Sequence, residues 1–362
     1  MVRVQPLPLK CGVIEGFFGT PWGWPQRQDC VEFLRQSGFE FYIYAPKSDP
    51  YLRRRWREPI PAEIEDWLSR LSRHCGENGV SFGVGLSPFE IYREYGSDAK
   101  RDLRNKVRQI DRIGTDVLCI LFDDMRGDID GLAELQAQII SDIASWTRTP
   151  ELIFCPTYYS FDPVLERVFG PQPKNYLLDI SRMVDPGIGF FWTGERICSD
   201  SYSAQHLIDV ESIIGRKPVI WDNNITNDSR LRSKFLFMTP DAGSWSLPQG
   251  LAAGLAINPM NQPYLSFLAL CGYAKLLGLE GKRQGVCGGP ARDCFEACGP
   301  ELRTRLREDL RMFQVSGWDG MGEGARLAMI ERYSSFAPNP YALDIVAWLR
   351  GDHAFDPACL TA

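Results

Sequence analysis

Histidine is nearly absent from this chain of 362 residues, which carries three: His74, His206 and His353. A histidine-based metal centre or a Ser-His-Asp triad therefore has little to draw on. Positive charge is not in excess either: the formal net charge is −6, so the basic footprint that drives nucleic-acid binding is missing. No apolar run approaches the length of a membrane span, and a soluble protein without a membrane partner is expected. The opening MVRVQPLPLK has no apolar stretch of the kind a signal peptide needs. Eleven cysteines, an odd number without framework spacing, are expected to be reduced thiols. Together these features favour a cytoplasmic setting. Cys287, Cys294 and Cys298 come nearest to a metal pattern, but their spacing matches no zinc module, and structural cysteines are the expectation. A glycine-rich phosphate turn is also lacking, because EGFFGTPW (15–22) does not have GxGxxG spacing.

What the chain does have is alternation. Short apolar runs at Gly12–Glu15, Phe41–Ala45, Ser81–Leu86, Val117–Phe122, Leu152–Cys155, Gly189–Trp192, Pro218–Trp221 and Leu255–Ile257 are expected strands. Most are continuously apolar, the signature of parallel strands covered on both faces. Amphipathic stretches lie between them, as at 26–38, 62–79 and 97–114, each stopping near a glycine able to cap a helix. Eight such units predict an α/β protein, a (β/α)8 TIM barrel, over residues 1–289. After about Gly289 the pattern turns helical, at 301–317 and 341–352, so 290–362 is expected to form a small C-terminal α-helical region.

In such barrels the chemistry sits at the carboxyl ends of the strands. Here those ends are consistently polar or aromatic: Glu15-Gly16-Phe17-Phe18, Lys47-Ser48-Asp49, Ser87-Pro88, Asp123-Asp124, Thr157-Tyr158-Tyr159, Thr193-Gly194, Asp222-Asn223-Asn224 and Asn258-Pro259. Taken singly, each reads more readily as a turn residue, a cap or a core aromatic. On one rim they describe a cup suited to a neutral polyhydroxylated ligand. The pair Asp123-Asp124, at the end of the run VLCILFDDM, has the carboxyls that glycosidic cleavage requires. Two adjacent acids do not straddle a bond as a nucleophile and an acid do. They suit a substrate that supplies its own nucleophile, one Asp positioning it and the other handling the proton. A non-catalytic sugar-binding cup and a metal site on the two aspartates remain as alternatives.

The segments GVIEGFFGTPW, YIYAPKSDPYLRRRWREPIP, LCILFDDM, FCPTYY, FWTG, VIWDNNITND and INPM, in this order, resemble the family 84 glycoside hydrolases. This family comprises O-GlcNAcase and bacterial β-N-acetylglucosaminidase (hyaluronidase-like) enzymes. The resemblance implies a TIM barrel that removes terminal β-linked N-acetylglucosamine (GlcNAc) from glycoproteins or glycans with retention, using no metal and no cofactor. It implies that Asp123 orients the substrate's 2-acetamido group, whose carbonyl oxygen forms an oxazoline, and that Asp124 is general acid and then general base. It further places Gly16, Phe17, Lys47, Asn223, Asp228 and Asn258 on the sugar, Tyr159 on the acetamido group and Trp221 as the wall of its pocket. Two positions depart from the family pattern: Phe18 stands where Tyr is usual, and Phe89 where Gly is usual.

Overall fold

The computed structural model describes residues 10–240, 243–279, 293–353 and 355–361. The expected strands form, with ends moved by one or two residues: β1 Lys10–Glu15, β2 Phe41–Tyr44, β3 Ser81–Leu86 and β4 Val117–Leu121. They continue as β5 Glu151–Cys155, β6 Gly189–Trp192, β7 Val219–Asp222 and β8 Gly254–Ile257. All pair in parallel in chain order, and β8 returns to β1 with Gly254 opposite Lys10, closing the barrel. The protein is thus a (β/α)8 TIM barrel with C-terminal helices. The continuous apolar runs are explained by burial on both faces: Val13, Tyr42, Val84, Ile120, Phe154, Trp192, Ile220 and Ile257 are all fully buried.

The outer helices include α1 Trp24–Ser37, α2 Ala62–Glu77, α3 Ser97–Ile113 and α4 Leu132–Trp146. Then follow α5 Val164–Phe169, α6 Tyr176–Met183, α7 Ala204–Ile214 and α8 Pro263–Leu276. As expected, α1 stops on a left-handed residue, Gly38 at φ 81°, a conformation open to glycine at no steric cost. The alternation breaks once. Between β7 and β8 the described residues form only a short 3-10 turn, Arg232–Lys234. The segment DNNITND that leaves β7 explains this, since Asn and Asp side chains bond nearby backbone and favour turns over helix. The long connection leaves side chains free to enter the mouth of the barrel.

The expected boundary at residue 289 lies outside the described residues. Beyond it, α9 Pro300–Arg311 runs into a π-helical turn, Met312–Ser316, followed by α10 Gly317–Met321, α11 Glu323–Ser334 and α12 Pro340–Arg350. These helices share a second apolar cluster with the barrel: Phe313, Tyr333, Ile345 and Trp348 pack with Leu236, Met238, Leu265 and Leu268. The junction is also polar. Asp344 accepts from the amides of Tyr264 (2.8 Å) and Leu265 (3.1 Å), serving two otherwise orphan donors at the start of α8. The Trp348 indole donates to the carbonyl of Ser233 at 2.9 Å, tying α12 to the β7–β8 connection.

Candidate active site

At the carboxyl end of β4 the chain turns sharply, and Asp124 adopts φ 57°, the left-handed region that few residues other than glycine enter. That turn sends both carboxyls of the pair toward one cavity. Lys47, carried just beyond β2, donates to Asp123 Oδ2, and its Nζ lies 3.9 Å from Asp124 Oδ2. All three side chains are buried, with 3 %, 7 % and 9 % of their area exposed for Lys47, Asp123 and Asp124, so their charges are weakly screened. The Tyr159 hydroxyl, from beyond β5, donates to Asp124 Oδ1 at 3.0 Å. Asp123 Oδ1 is buried and has no hydrogen-bond partner among the described residues. Leaving a carboxylate oxygen buried and unpaired is costly, so this oxygen is an acceptor in want of a donor. Burial pushes the Asp124 carboxyl above the usual carboxylate range. Lys47, Arg53 and the Tyr159 hydrogen bond oppose that rise, and the Asp123 charge adds to it.

The opposite wall comes from β7, β8 and β1. The Trp221 indole packs edge-on against Phe191 at 5.2 Å and donates to Asn223 Oδ1 at 3.0 Å. That same oxygen accepts from Asn258 Nδ2 at 2.9 Å, and Asn258 Oδ1 accepts from the Gly16 amide at 3.0 Å. Three strand ends are thereby held in one chain of hydrogen bonds. Gly16 permits the closeness: a Cβ there would lie 2.4 Å from Trp221 Cζ2. From the β7–β8 connection, Asp228 accepts from the Phe18 amide at 2.8 Å, and burial raises its carboxyl to about 6. The cup holds about 620 Å³ of space, open mouth included.

Of the residues singled out in the sequence, Gly16, Lys47, Asp123, Asp124, Tyr159, Trp221, Asn223, Asp228 and Asn258 all line this cavity. Phe17 does not. Its ring is fully buried against Trp22, at 6.0 Å between centroids, and it is Phe18 that faces the cup. Two carboxylates of the polar rim are structural. Glu15 is fully buried, binding Arg27 Nε and Nη2 at 2.8 Å each, the Trp22 amide and the Tyr42 hydroxyl. Asp222 accepts from Trp245 Nε1 (2.9 Å) and the Tyr273 hydroxyl (3.0 Å) and joins α8 to the barrel. Other lining residues carried no sequence signal: Thr226, Ser229 and Arg232 from the helix-free connection, and Cys359 and Thr361 from beyond α12. Arg232 staples its own connection, donating to the carbonyls of Thr226 (2.7 Å) and Asn224 and stacking on Phe237. Among the described residues no group of three or more His, Cys, Asp or Glu is placed to hold a metal ion. Nor, among them, is any helix long and apolar enough to cross a membrane.

Comparison with known proteins agrees with this geometry. The model of the beta-N-acetylglucosaminidase family matches residues 11–282, most of the chain and all eight strands but for the first residue of β1. Protein O-GlcNAcase of Mus musculus is 29% identical over 269 residues, covering 72% of this chain and 29% of that protein. The Rattus norvegicus protein of the same name matches with the same identity and coverage. The match therefore spans less than a third of the length of these relatives. An O-GlcNAc hydrolase of Thermobaculum terrenum, solved as a point mutant, shares the fold at TM-score 0.69 and 24% identity, covering 94% of this chain and 80% of that one. With the closed barrel and the family match over three-quarters of its length, the chain belongs to the beta-N-acetylglucosaminidase family of glycoside hydrolases.

Proposed function

We propose that the chain is a retaining exo-β-N-acetylglucosaminidase, removing terminal β-linked GlcNAc, including O-GlcNAc on proteins, by substrate-assisted catalysis. The observation that carries this is the division of labour inside one acid pair. Asp123 is clamped by Lys47 and has one unpartnered oxygen, whereas Asp124 has a raised proton affinity and a hydroxyl donor of its own. The first, paired with Lys47 and with an acceptor oxygen to spare, is suited to accept the acetamido N–H. The second, with its proton affinity raised by burial, is suited to give a proton and take it back.

In the first step the acetamido carbonyl oxygen attacks the anomeric carbon while Asp124 gives its proton to the glycosidic oxygen. The aglycone leaves as an alcohol, and the sugar becomes an oxazolinium ion whose N–H bears on the Asp123 carboxylate. In the second, Asp124, now a carboxylate, takes a proton from water as that water opens the ring from the same face, so configuration is retained. The Asn223–Asn258–Gly16 chain and Asp228 are suited to the sugar hydroxyls, and Trp221 to the methyl of the acetamido group. Mouse Protein O-GlcNAcase, similar across the barrel, supports protein-linked GlcNAc as a substrate.

The test is Asp124→Asn assayed on aryl β-GlcNAc substrates graded in leaving-group pKa. A general-acid role predicts a loss of about 10²–10⁴ for poor leaving groups and a much smaller one for activated ones. Uniform loss across the series, or none, counts against the assignment. GlcNAc binding without turnover by the unaltered protein would make the cup a sugar-binding site only.

A further inference from the structure

The two departures from the family pattern, Phe18 and Phe89, face the same side chain. The guanidinium of Arg53 lies over both rings, 5.7 Å from the centroid of Phe18 and 5.1 Å from that of Phe89. Arg54, on the surface, covers Phe89 at 4.8 Å. Arg53 is itself buried, 4 % exposed, and is not among the residues lining the cup. Its Nη1 donates to Ser87 Oγ at 2.9 Å, and its Nη2 donates to the backbone carbonyl of Asp124 at 3.3 Å. Its backbone is fixed as well: the Ser87 amide bonds the Leu52 carbonyl at 2.8 Å, and the Phe89 amide bonds that of Arg53 at 3.5 Å. Asp124 is the only residue of the acid pair with positive φ. Such a conformation persists only where its surroundings over-determine it.

We propose that Arg53 is a positioning residue for Asp124, a planar cation packed against two aromatic rings that holds the acid's left-handed turn through its carbonyl. The proposal rests on the glycosidase assignment for its kinetic readout. A guanidinium suits the task where an ammonium does not, since its flat face stacks on rings while its edge donates in two fixed directions. The same charge bears on the titration of the acid. The groups that face Asp124 are Lys47, Asp123, Arg53, the Tyr159 hydroxyl, Asp228 and the thiols of Cys155 and Cys359. Lys47 and Arg53 are the cations among them, and both favour the ionised carboxylate. Removing Arg53 lets Asp124 keep its proton to higher pH.

The experiment compares wild type, Arg53→Met and Arg53→Lys in pH–rate profiles on an aryl β-GlcNAc. The carboxyl of Asp124 is titrated alongside by carbon-13 NMR in each protein. Arg53→Met is expected to lower kcat by about 10- to 100-fold, with KM changed less than about threefold, and to move the alkaline limb up by about half a pH unit or more. Arg53→Lys keeps the charge and loses the fork, so the limb returns toward its original position while kcat stays reduced. Wild-type kcat and limb in both variants overturn the proposal. So does loss of activity with an unmoved limb and an unmoved carboxyl titration, the result of a merely structural role. If wild type hydrolyses no GlcNAc substrate, the functional assignment fails. The NMR titration then still decides: an Asp124 carboxyl that titrates higher in Arg53→Met supports the coupling, and an unchanged one removes it.

Discussion

Replacing Asp123 with asparagine isolates what its charge contributes, because the amide is nearly the same shape. Two opposing effects can be worked from the site. In the proposed mechanism the oxazolinium N–H loses a charged acceptor in a buried cup, where removing one such electrostatic partner typically costs about 2.7–4 kcal/mol, or about 10²–10³ in kcat. Lys47 loses the carboxylate it binds directly, and breaking a buried pair from one side typically costs about 3–5 kcal/mol of stability. Here the loss is softened, since Asp124 Oδ2 stands only 3.9 Å from the lysine and can take it up. A stability loss of about 1–3 kcal/mol is therefore expected. That shift has a second consequence. Asp123 raises the proton affinity of Asp124 and Lys47 lowers it. The variant removes the first influence and frees the second, so Asp124 ionises at lower pH and the alkaline limb moves down. Steady-state kinetics on para-nitrophenyl β-GlcNAc across pH, with thermal unfolding beside them, measure all three quantities. A variant that keeps kcat within about threefold of wild type at its own optimum, or whose alkaline limb moves up, would refute the reasoning.

Three further outcomes follow from particular contacts. Tyr159→Phe removes the 3.0 Å hydrogen bond to Asp124 Oδ1, a contact that favours the carboxylate; kcat should fall about tenfold and the alkaline limb rise, and a pH–rate profile that overlays wild type would contradict this. Deleting residues 355–362 takes Cys359 and Thr361 out of the cup wall; KM for glycopeptides should fall about threefold or more while kcat on a small aryl glycoside stays within about twofold, and a higher glycopeptide KM would mean that these residues help to bind the substrate. Burial lifts the Asp344 carboxyl to about 7, above its unfolded value near 3.9. Between those values the folded state holds more protons than the unfolded, so this group's contribution to stability falls as pH rises through that window. The Tm difference between wild type and Asp344→Asn should therefore shrink from pH 5 to pH 8, and parallel Tm curves would refute the assignment.

The barrel was legible because burial on both faces writes parallel strands as unbroken apolar runs, and all eight lie within two residues of where the runs predict them. The acid pair was legible only beside the other polar strand ends, since alone it reads as a capping pair, and the structure brings both its carboxyls to the cavity those ends line. Less legible were choices made by side-chain direction. Phe17 and Phe18 are adjacent and chemically alike, and only the turn after β1 decides which faces the core. Glu15 has the same position on its strand as a catalytic carboxylate would, yet Arg27, twelve residues later, claims it on both oxygens. Arg53 was still harder to find, since its partners Phe18, Phe89 and Asp124 lie on three other loops. Contacts between residues 34 to 71 positions apart leave no periodic trace in a single sequence.

The wall of the cup is drawn from Gly16 at one extreme and Thr361 at the other. A chain emerging from the ribosome therefore holds Asp123 and Asp124 well before Trp221 and Asn258, whose bonds close the sugar wall. The strand that seals the barrel, β8, pairs with the first strand made. Until then β1 and its loop wait with an open edge, and the acid pair has no cup around it. A working cup is thus withheld from the growing chain until β8 and the residues beyond it exist, a timing set by nothing more than strand order.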